Sequence, residues 1–263
     1  MATAILVDGG FFIKRYRAIY RDPEDRRPEQ VARNMHQMLI KHLCDRNGRQ
    51  LRELYRIHFY DCPPIHGRFE NPVTGEIIDF AETDEAVFRR ALHDKLKTLR
   101  KVALRFGHMG GSYDWIIRPE LTQDVIDGHL PVADMNADDV RLDLRQKGLE
   151  MRIGLDIAAL AFKRLADQIV LVAGDRDFIP AAKMARREGI DLILDPMWSS
   201  IDPALHEHID GLQSPWPNPR YQQQQRRDGN FNRDDRNERN ERNERNERNE
   251  HDEHDEQDED AHG

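Results

Sequence analysis

Residues 4–10 read Ala-Ile-Leu-Val-Asp-Gly-Gly, and residues 169–177 read Ile-Val-Leu-Val-Ala-Gly-Asp-Arg-Asp. Each stretch is an uninterrupted apolar run, partly β-branched, that stops at aspartate and glycine. Such runs are typical of strands that are buried on both faces of a parallel sheet. The two stretches therefore predict two central strands that end in carboxylates, and they decide the expected fold.

Further strands and helices alternate around these two stretches. Strands are predicted at 54–60, 102–106 and 190–194, and helices at 11–20, 28–45, 84–100, 154–162 and 180–188. Alternation of apolar strands with helices predicts βαβ units. The expected fold class is α/β, with a Rossmann-like, mainly parallel sheet and helices on both faces. Within the helix at 154–162 we expect Leu155 and Phe162 to be buried.

Two segments depart from this alternation. Residues 107–146 carry glycines, prolines and alternating acids without a clear period, and we interpret them as an insertion into a domain that spans residues 1–212. Residues 213–263 hold few apolar residues, among them Trp216, and Arg-Asn-Glu repeats five times over 236–250. Such mixed charge gives no apolar stripe to bury, so we predict a disordered low-complexity tail.

Charge and cysteine content exclude several classes of protein. The tail carries nine Arg and 15 Asp plus Glu, so −6 of the chain's net −9 belongs to it and the domain is close to neutral. A basic footprint of a nucleic-acid binder would therefore have to be local. Only Cys44 and Cys62 are present, without a zinc or disulfide pattern. The apolar run 4–7 is too short for a signal peptide and no run reaches a membrane span, so a cytoplasmic location is expected.

Aspartates follow both central strands. Asp8 ends the first strand, and Asp175 and Asp177 follow the second. Ligands of open α/β sheets bind beyond the carboxyl ends of the strands, so these side chains are expected to meet. Asp156 lies in an apolar helix, where an unpartnered charge is costly. Each aspartate alone is also explained as a turn or helix cap.

The chemistry of this acidic group is that of a hard cation. Carboxylate oxygens suit Mg²⁺ or Mn²⁺, which keep several waters and bind substrate phosphates. Such a centre can activate water and neutralise charge on a phosphodiester. The sequence therefore predicts a metal-dependent hydrolase of a nucleic-acid backbone.

Three blocks of sequence, at residues 5–10, 146–156 and 172–180, together resemble the NYN domains of PIN-like nucleases, in the bacterial branch described as LabA/DUF88-like. The resemblance extends over about residues 3–195. It implies a Rossmann-like sheet and divalent-metal-dependent ribonuclease activity. It also implies an acidic site that corresponds to Asp8, Asp156, Asp175 and Asp177.

Two residues mark differences from the family's pattern. Glu150 stands where many relatives carry Asp, and it is a further candidate metal ligand. Phe11 stands at the Asn position of an Asp-Gly-x-Asn motif, so the polar contact of that Asn is not expected here.

Basic residues near the predicted site are candidates for contacts with substrate phosphates, which need Lys or Arg close to the metal. They are Lys14, Arg176, Lys183 and Arg187. A solvated helix face explains these residues equally well. The expected substrate is RNA, in single-stranded form, and a homodimer is a further expectation because PIN-like folds often pair.

Two other functions compete with the nuclease. A haloacid-dehalogenase-type phosphatase needs a second aspartate two residues after the first, and Gly10 stands there. A non-catalytic RNA-binding or regulatory protein could retain the fold and use the carboxylates for structure. The nearly balanced charge of the repeat at 236–250 argues against strong non-specific attraction to phosphate. The presence of all four aspartates favours the enzyme.

Overall fold

A computed structural model describes residues 1–45 and 47–219, and its centre is a six-stranded sheet in which every neighbouring pair is parallel. From one edge to the other, the strands are β12 (Gly211–Leu212), β11 (Asp191–Asp195), β10 (Gln168–Val172), β1 (Ala2–Asp8), β2 (Glu53–Asp61) and β5 (Val102–Phe106). The five strands predicted from apolar runs are all present. The α/β fold class is thereby confirmed.

Helices cover both faces of this sheet. They are α1 (Gly9–Ile19), α2 (Pro28–Ile40), α3 (Asp84–Thr98), α4 (Thr122–Ile126), α5 (Leu149–Phe162), α6 (Ile179–Arg187) and α7 (Pro203–His206). Along β1, Ile5 and Val7 pack with α1, α2 and α3, whereas Ala4 and Leu6 pack with α5 and α6. Because successive side chains of a strand point to opposite faces, the apolar run of β1 supplies both cores.

Short antiparallel ladders lie outside the main sheet. The strands are β3 (Arg68–Glu70) with β4 (Ile77–Asp79), β6 (His108–Gly110) with β9 (Arg145–Lys147), and β7 (Trp115–Ile117) with β8 (Val140–Leu142). The first pair forms a short antiparallel hairpin. The other two, together with α4, form the segment 107–146.

Helix α5 differs from the prediction in its start and in its burial. It begins at Leu149, directly after Gly148, whose backbone is left-handed with a φ of 78°. Leu155 and Phe162, which were expected to be buried, are 63% and 65% exposed. Apolar residues occur on every side of this helix, but only the side with Ile153 and Ile157 packs in the core. The expectation of a second buried face was therefore wrong.

The packed unit extends beyond Leu212. Trp216, which sequence assigned to the tail, is 2% exposed, and its ring centroid lies 5.7 Å from that of Phe12. The compact unit runs from Met1 to Trp216. The predicted disorder and the repeats at 236–250 lie outside the described residues.

Candidate metal centre

The order of the strands reverses at the centre of the sheet. From β1 the chain adds β2 and then β5 on one side, and from β10 it adds β11 and then β12 on the other. Strands β1 and β10 are neighbours, with Val7 opposite Val172. Ligands of doubly wound sheets bind in the crevice beyond the strand ends at such a reversal. The crevice that follows Val7 and Val172 is therefore the candidate site.

Asp8 ends β1 at this crevice and is half-buried. Its Oδ1 accepts a hydrogen bond of 3.0 Å from the backbone N–H of Phe11, so the carboxylate caps α1. Burial raises the pKa of Asp8 to about 6; the backbone N–H groups of Phe11 and Gly10 lower it, while the negative charges of Glu150 and Asp61 raise it. Asp8 therefore sits among carboxylates that disfavour its own charge.

Asp175 and Asp177 follow β10, which is the neighbour of β1 in the sheet, and both side chains are exposed. Asp175 Oδ1 accepts a hydrogen bond of 3.0 Å from the backbone N–H of Asp177 and caps a 3₁₀ turn that leads into α6. The two aspartate motifs meet at Gly174, where a Cβ would lie only 2.5 Å from Cε2 of Phe11. Phe11, at the position of the family's Asn, thus packs one motif against the other.

Asp156 lies in a different environment from Asp8. Its Oδ2 accepts a hydrogen bond of 2.7 Å from the hydroxyl of Tyr60 and lies 3.1 Å from Nε of Arg105. Asp156 is also six residues beyond Glu150 in α5, about 9 Å further along the helix axis. The structure therefore places Asp156 in an ion pair that links α5 to β5, and it does not group this residue with Asp8 as expected from sequence.

A buried histidine completes the contacts of Asp156. His58 Nδ1 lies 3.3 Å from the hydroxyl of Tyr60 and 3.8 Å from Oδ2 of Asp156, and its side chain is 5% exposed. Burial lowers the pKa of His58 to about 4, which outweighs the attraction of Asp156. The ring is therefore neutral near pH 7 and donates from Nδ1 to Tyr60, so its approach to Asp156 is not an ion pair at that pH.

The neutral His58 makes stability depend on pH. The unfolded chain takes up a proton near pH 6.5 and the folded protein only near pH 4, so the folded state loses stability as the pH falls through this window. We expect His58→Gln to remove up to about 3 kcal/mol of this loss between pH 6.5 and 4. Denaturant unfolding at several pH values measures it.

The matched control for His58 is the exposed His66, which lies on the loop after β2. His66→Gln should leave the pH dependence of the wild type unchanged. Parallel curves for wild type and His58→Gln would show that His58 is protonated in the folded state, contrary to this prediction.

Asp61 is a further carboxylate beside the crevice that sequence reasoning missed. It ends β2 at the same sheet edge as Asp8 and is fully buried. Its carboxylate accepts hydrogen bonds from Arg89 Nη1 at 2.6 Å and His93 Nε2 at 2.8 Å, both on α3. The signal was a carboxylate directly after a buried strand, as for Asp8, but the predicted strand stopped at Tyr60.

The four basic candidates lie near both the carboxyl and the amino ends of the strands. Lys14 on α1 and Arg176 beside Asp175 are exposed, and Arg176 is at the crevice. Lys183 and Arg187 line a separate open depression with Asp191, the first residue of β11. They lie about 6 and 12 Å along α6 from Ile179, away from the crevice and towards the amino ends of the strands. Of the four, Arg176 is thus the best placed for a phosphate at the crevice.

Ion pairing separates the carboxylates of this region into two groups. Asp61 and Asp156 each have an arginine within 4.0 Å. Throughout residues 1–45 and 47–219, no Lys, Arg or His forms such a pair with the other four, which are Asp8, Glu150, Asp175 and Asp177. The crevice therefore carries negative charge that the described side chains do not compensate.

The donor set fits a hydrated divalent ion better than a dehydrated one. In the part of the chain that the structure describes, no group of three or more His, Cys, Asp or Glu side chains is placed to hold a metal together. Mg²⁺ usually keeps several waters and takes only one or two carboxylates plus substrate phosphates. The exposed Asp175 and Asp177 and the half-buried Asp8 leave room for those waters.

Comparison with known proteins finds one family model that matches part of the chain. The family model for the NYN domain matches residues 125–204, which include Glu150, Asp175 and Asp177. The match makes this part of the chain similar to NYN domains. NYN domains are of the PIN-like type and are usually nucleases, so the domain indicates a hydrolase that acts on nucleic acid. The bacterial branch suggested by sequence stays a prediction.

One solved structure is also similar to this chain. A protein of unknown function from Vibrio parahaemolyticus is similar over 81% of this chain and 91% of its own, at 17% identity and a TM-score of 0.40. No curated protein matches the chain.

Proposed function

We propose that the protein is an endoribonuclease that hydrolyses single-stranded RNA with Mg²⁺ or Mn²⁺. The candidate residues are Asp8, Glu150, Asp175 and Asp177, of which one or two would bind the ion directly and the others through its bound waters. The observation that carries this proposal is the gathering of carboxylates without cationic partners at the strand reversal of an NYN-like domain. Asp156 is left out of the metal site because Arg105 already neutralises it.

The protein side chains hold their positions before substrate binds. Asp8 and Asp175 are fixed by the backbone N–H groups that they cap, which limits the reorganisation needed on binding. Arg176, directly beside Asp175, offers a phosphate contact that carries no sequence information. A divalent ion bound by these carboxylates would supply an acidified water and neutralise charge on the phosphodiester.

Location and assembly stay predictions. No helix in the described ranges is long and apolar enough to cross a membrane. The cytoplasmic location and the homodimer are expectations from sequence.

The test of the proposed function is cleavage of end-labelled single-stranded RNA and DNA in Mn²⁺, Mg²⁺ or EDTA. We expect RNA cleavage with either metal, none in EDTA, and a loss of about 100-fold or more in Asp175→Asn/Asp177→Asn. The control is Asp94→Asn/Glu188→Gln, which removes the same charge from exposed positions outside the crevice.

Each outcome of this assay decides between the two candidate functions. Cleavage that survives EDTA, or equal cleavage by the crevice variant, would contradict the metal centre. RNA binding without cleavage under any metal would favour the non-catalytic RNA-binding protein.

A further inference from the structure

A cavity of about 390 Å³ opens between the segment after β2, the first turns of α3, and strands β6 and β9. Its walls are mainly apolar, with Ile65, Phe80, Met109 and Leu144, and its polar groups include Glu85, Arg89 and Gln146. Sites for small ligands are typically of this size, with apolar walls and a few convergent polar groups. The cavity therefore has the size and composition of a binding site.

The cavity shares a wall with the acidic centre. Gln146 lines the cavity, and its Oε1 lies 3.1 Å from the point where a Cβ on Gly10 would stand. Asp8 Oδ1 lies 3.5 Å from the same point. Gln146 Nε2 also donates to Asp61 Oδ1 at 3.3 Å, which fixes the amide. A phosphodiester at Asp8 would thus have its adjoining base within reach of the cavity.

The polar groups of the cavity present a donor and an acceptor side by side. Arg89 is held through Nη1 by Asp61 and through Nε by Glu85, each at 2.6 Å. Among the described residues, nothing accepts a hydrogen bond from Arg89 Nη2. Glu85 is half exposed and also pairs with Arg17. The guanidinium is therefore rigid, with a donor left for a ligand.

A donor beside an acceptor matches guanine through O6 and N1–H, and uracil through O4 and N3–H, and guanine alone adds a 2-amino group as a second donor to the carboxylate. Arg89 Nη2 can donate to guanine O6, and the Glu85 carboxylate can accept from the N–H groups of guanine's Watson–Crick edge. Adenine has an amino group where guanine has O6, so it would set a donor against Arg89. Phe80 lines the cavity, with its ring nearly perpendicular to that of Phe69 at 5.4 Å between centroids, and aromatic side chains are the usual stacking partners of unpaired RNA bases.

We propose that this cavity binds a guanine base of the RNA strand, beside the phosphodiester at the acidic centre. The position of the strand rests on the proposed nuclease function. Binding of the base depends only on the cavity. The two parts can therefore fail separately.

Base binding is measured without catalysis. Calorimetric titration of the protein with GMP, AMP, CMP and UMP in EDTA should show GMP bound about tenfold or more tightly than AMP. Ile65→Trp, which fills the cavity, should abolish GMP binding. The control His66→Trp places the same side chain at the exposed neighbouring position and should bind GMP as wild type does. Binding of AMP or UMP as tight as that of GMP, or GMP binding by Ile65→Trp, would overturn the proposal.

Base preference in cleavage gives the second readout. Mapping cuts in a mixed-sequence RNA with Mn²⁺ should show cleavage at a fixed position relative to guanine. Glu85→Gln should reduce the preference for guanine over adenine by about tenfold, whereas the exposed Glu82→Gln should preserve it. Cleavage without base preference would overturn the guanine site and leave the nuclease in place. GMP binding without cleavage under any metal would overturn the nuclease and leave the guanine site in place.

Discussion

Replacing Asp8 by Asn should reduce RNA cleavage by about three orders of magnitude, a size typical of losing one essential charge-stabilising group. Asp8 is half-buried at the strand reversal, and Glu150 and Asp61 act on it with their negative charges. The Asn side chain keeps an oxygen that can cap α1, so the helix should be retained. Single-turnover cleavage of labelled RNA in Mn²⁺ measures the effect.

The stability of Asp8→Asn gives a readout that does not require activity. Because the folded-state pKa of Asp8 is raised to about 6, its charged form destabilises the fold above that pH and this penalty fades as the pH falls through 6 towards 3.8. In EDTA at pH 7.5 the variant should be more stable than wild type by on the order of 1–3 kcal/mol. Mn²⁺ should raise the unfolding temperature of wild type and not of Asp8→Asn.

The control for Asp8→Asn is Asp156→Asn, which removes a carboxylate that Arg105 and Tyr60 already engage. We expect cleavage within about tenfold of wild type, because this side chain is not in the crevice. A loss equal to that of Asp8→Asn, in a variant that unfolds at the wild-type temperature, would return Asp156 to the catalytic centre. Wild-type cleavage by Asp8→Asn would remove Asp8 from it.

The central strands were predictable because their physical signal is local. A strand buried on both faces must be apolar at every position, and residues 4–7 and 169–173 meet that requirement. The carboxylates after them were predictable for a related reason, since parallel strands end at one edge of a sheet. Asp61 obeys the same rule and could have been found with it.

Features that depend on distant partners were not predictable. Whether Asp156 faces a metal or a cation depends on Arg105, which is 51 residues away in the chain. Apolar residues occur on every side of α5, so sequence alone does not tell which side faces the sheet and that the side with Leu155 faces solvent. A single Trp216 in a polar segment carries no periodic signal, and its burial depends on β11 and α1.

The second large effect is expected from Asp195→Ala, which should destabilise the fold by about 3–5 kcal/mol. Asp195 ends β11 and is fully buried. Its carboxylate accepts hydrogen bonds from His42 Nε2 at 3.0 Å, Trp216 Nε1 at 2.7 Å, Ser214 Oγ at 2.7 Å and Met197 N at 2.9 Å. Alanine would leave these buried donors without an acceptor, and each unmade bond costs about 1–3 kcal/mol.

Thermal and denaturant unfolding measure this destabilisation, and we expect the unfolding temperature to fall by about 10 °C or more. Asp94→Ala, at an exposed position of α3, should change stability by less than about 0.5 kcal/mol. A loss below about 1 kcal/mol for Asp195→Ala would mean that water replaces the carboxylate and that the site is not sealed.

Shortening the chain tests the same contacts by removing hydrogen-bond donors to Asp195 and not the acceptor itself. A chain that ends after Pro219 keeps Ser214 and Trp216, so its domain should unfold at the wild-type temperature. A chain that ends after Leu212 loses both side chains and the packing of Trp216 on Phe12, so it should be destabilised about as strongly as Asp195→Ala. Because the two losses share one set of hydrogen bonds, combining them should cost less than their sum. Full additivity would show that Asp195 stabilises the fold through His42 and Met197 alone.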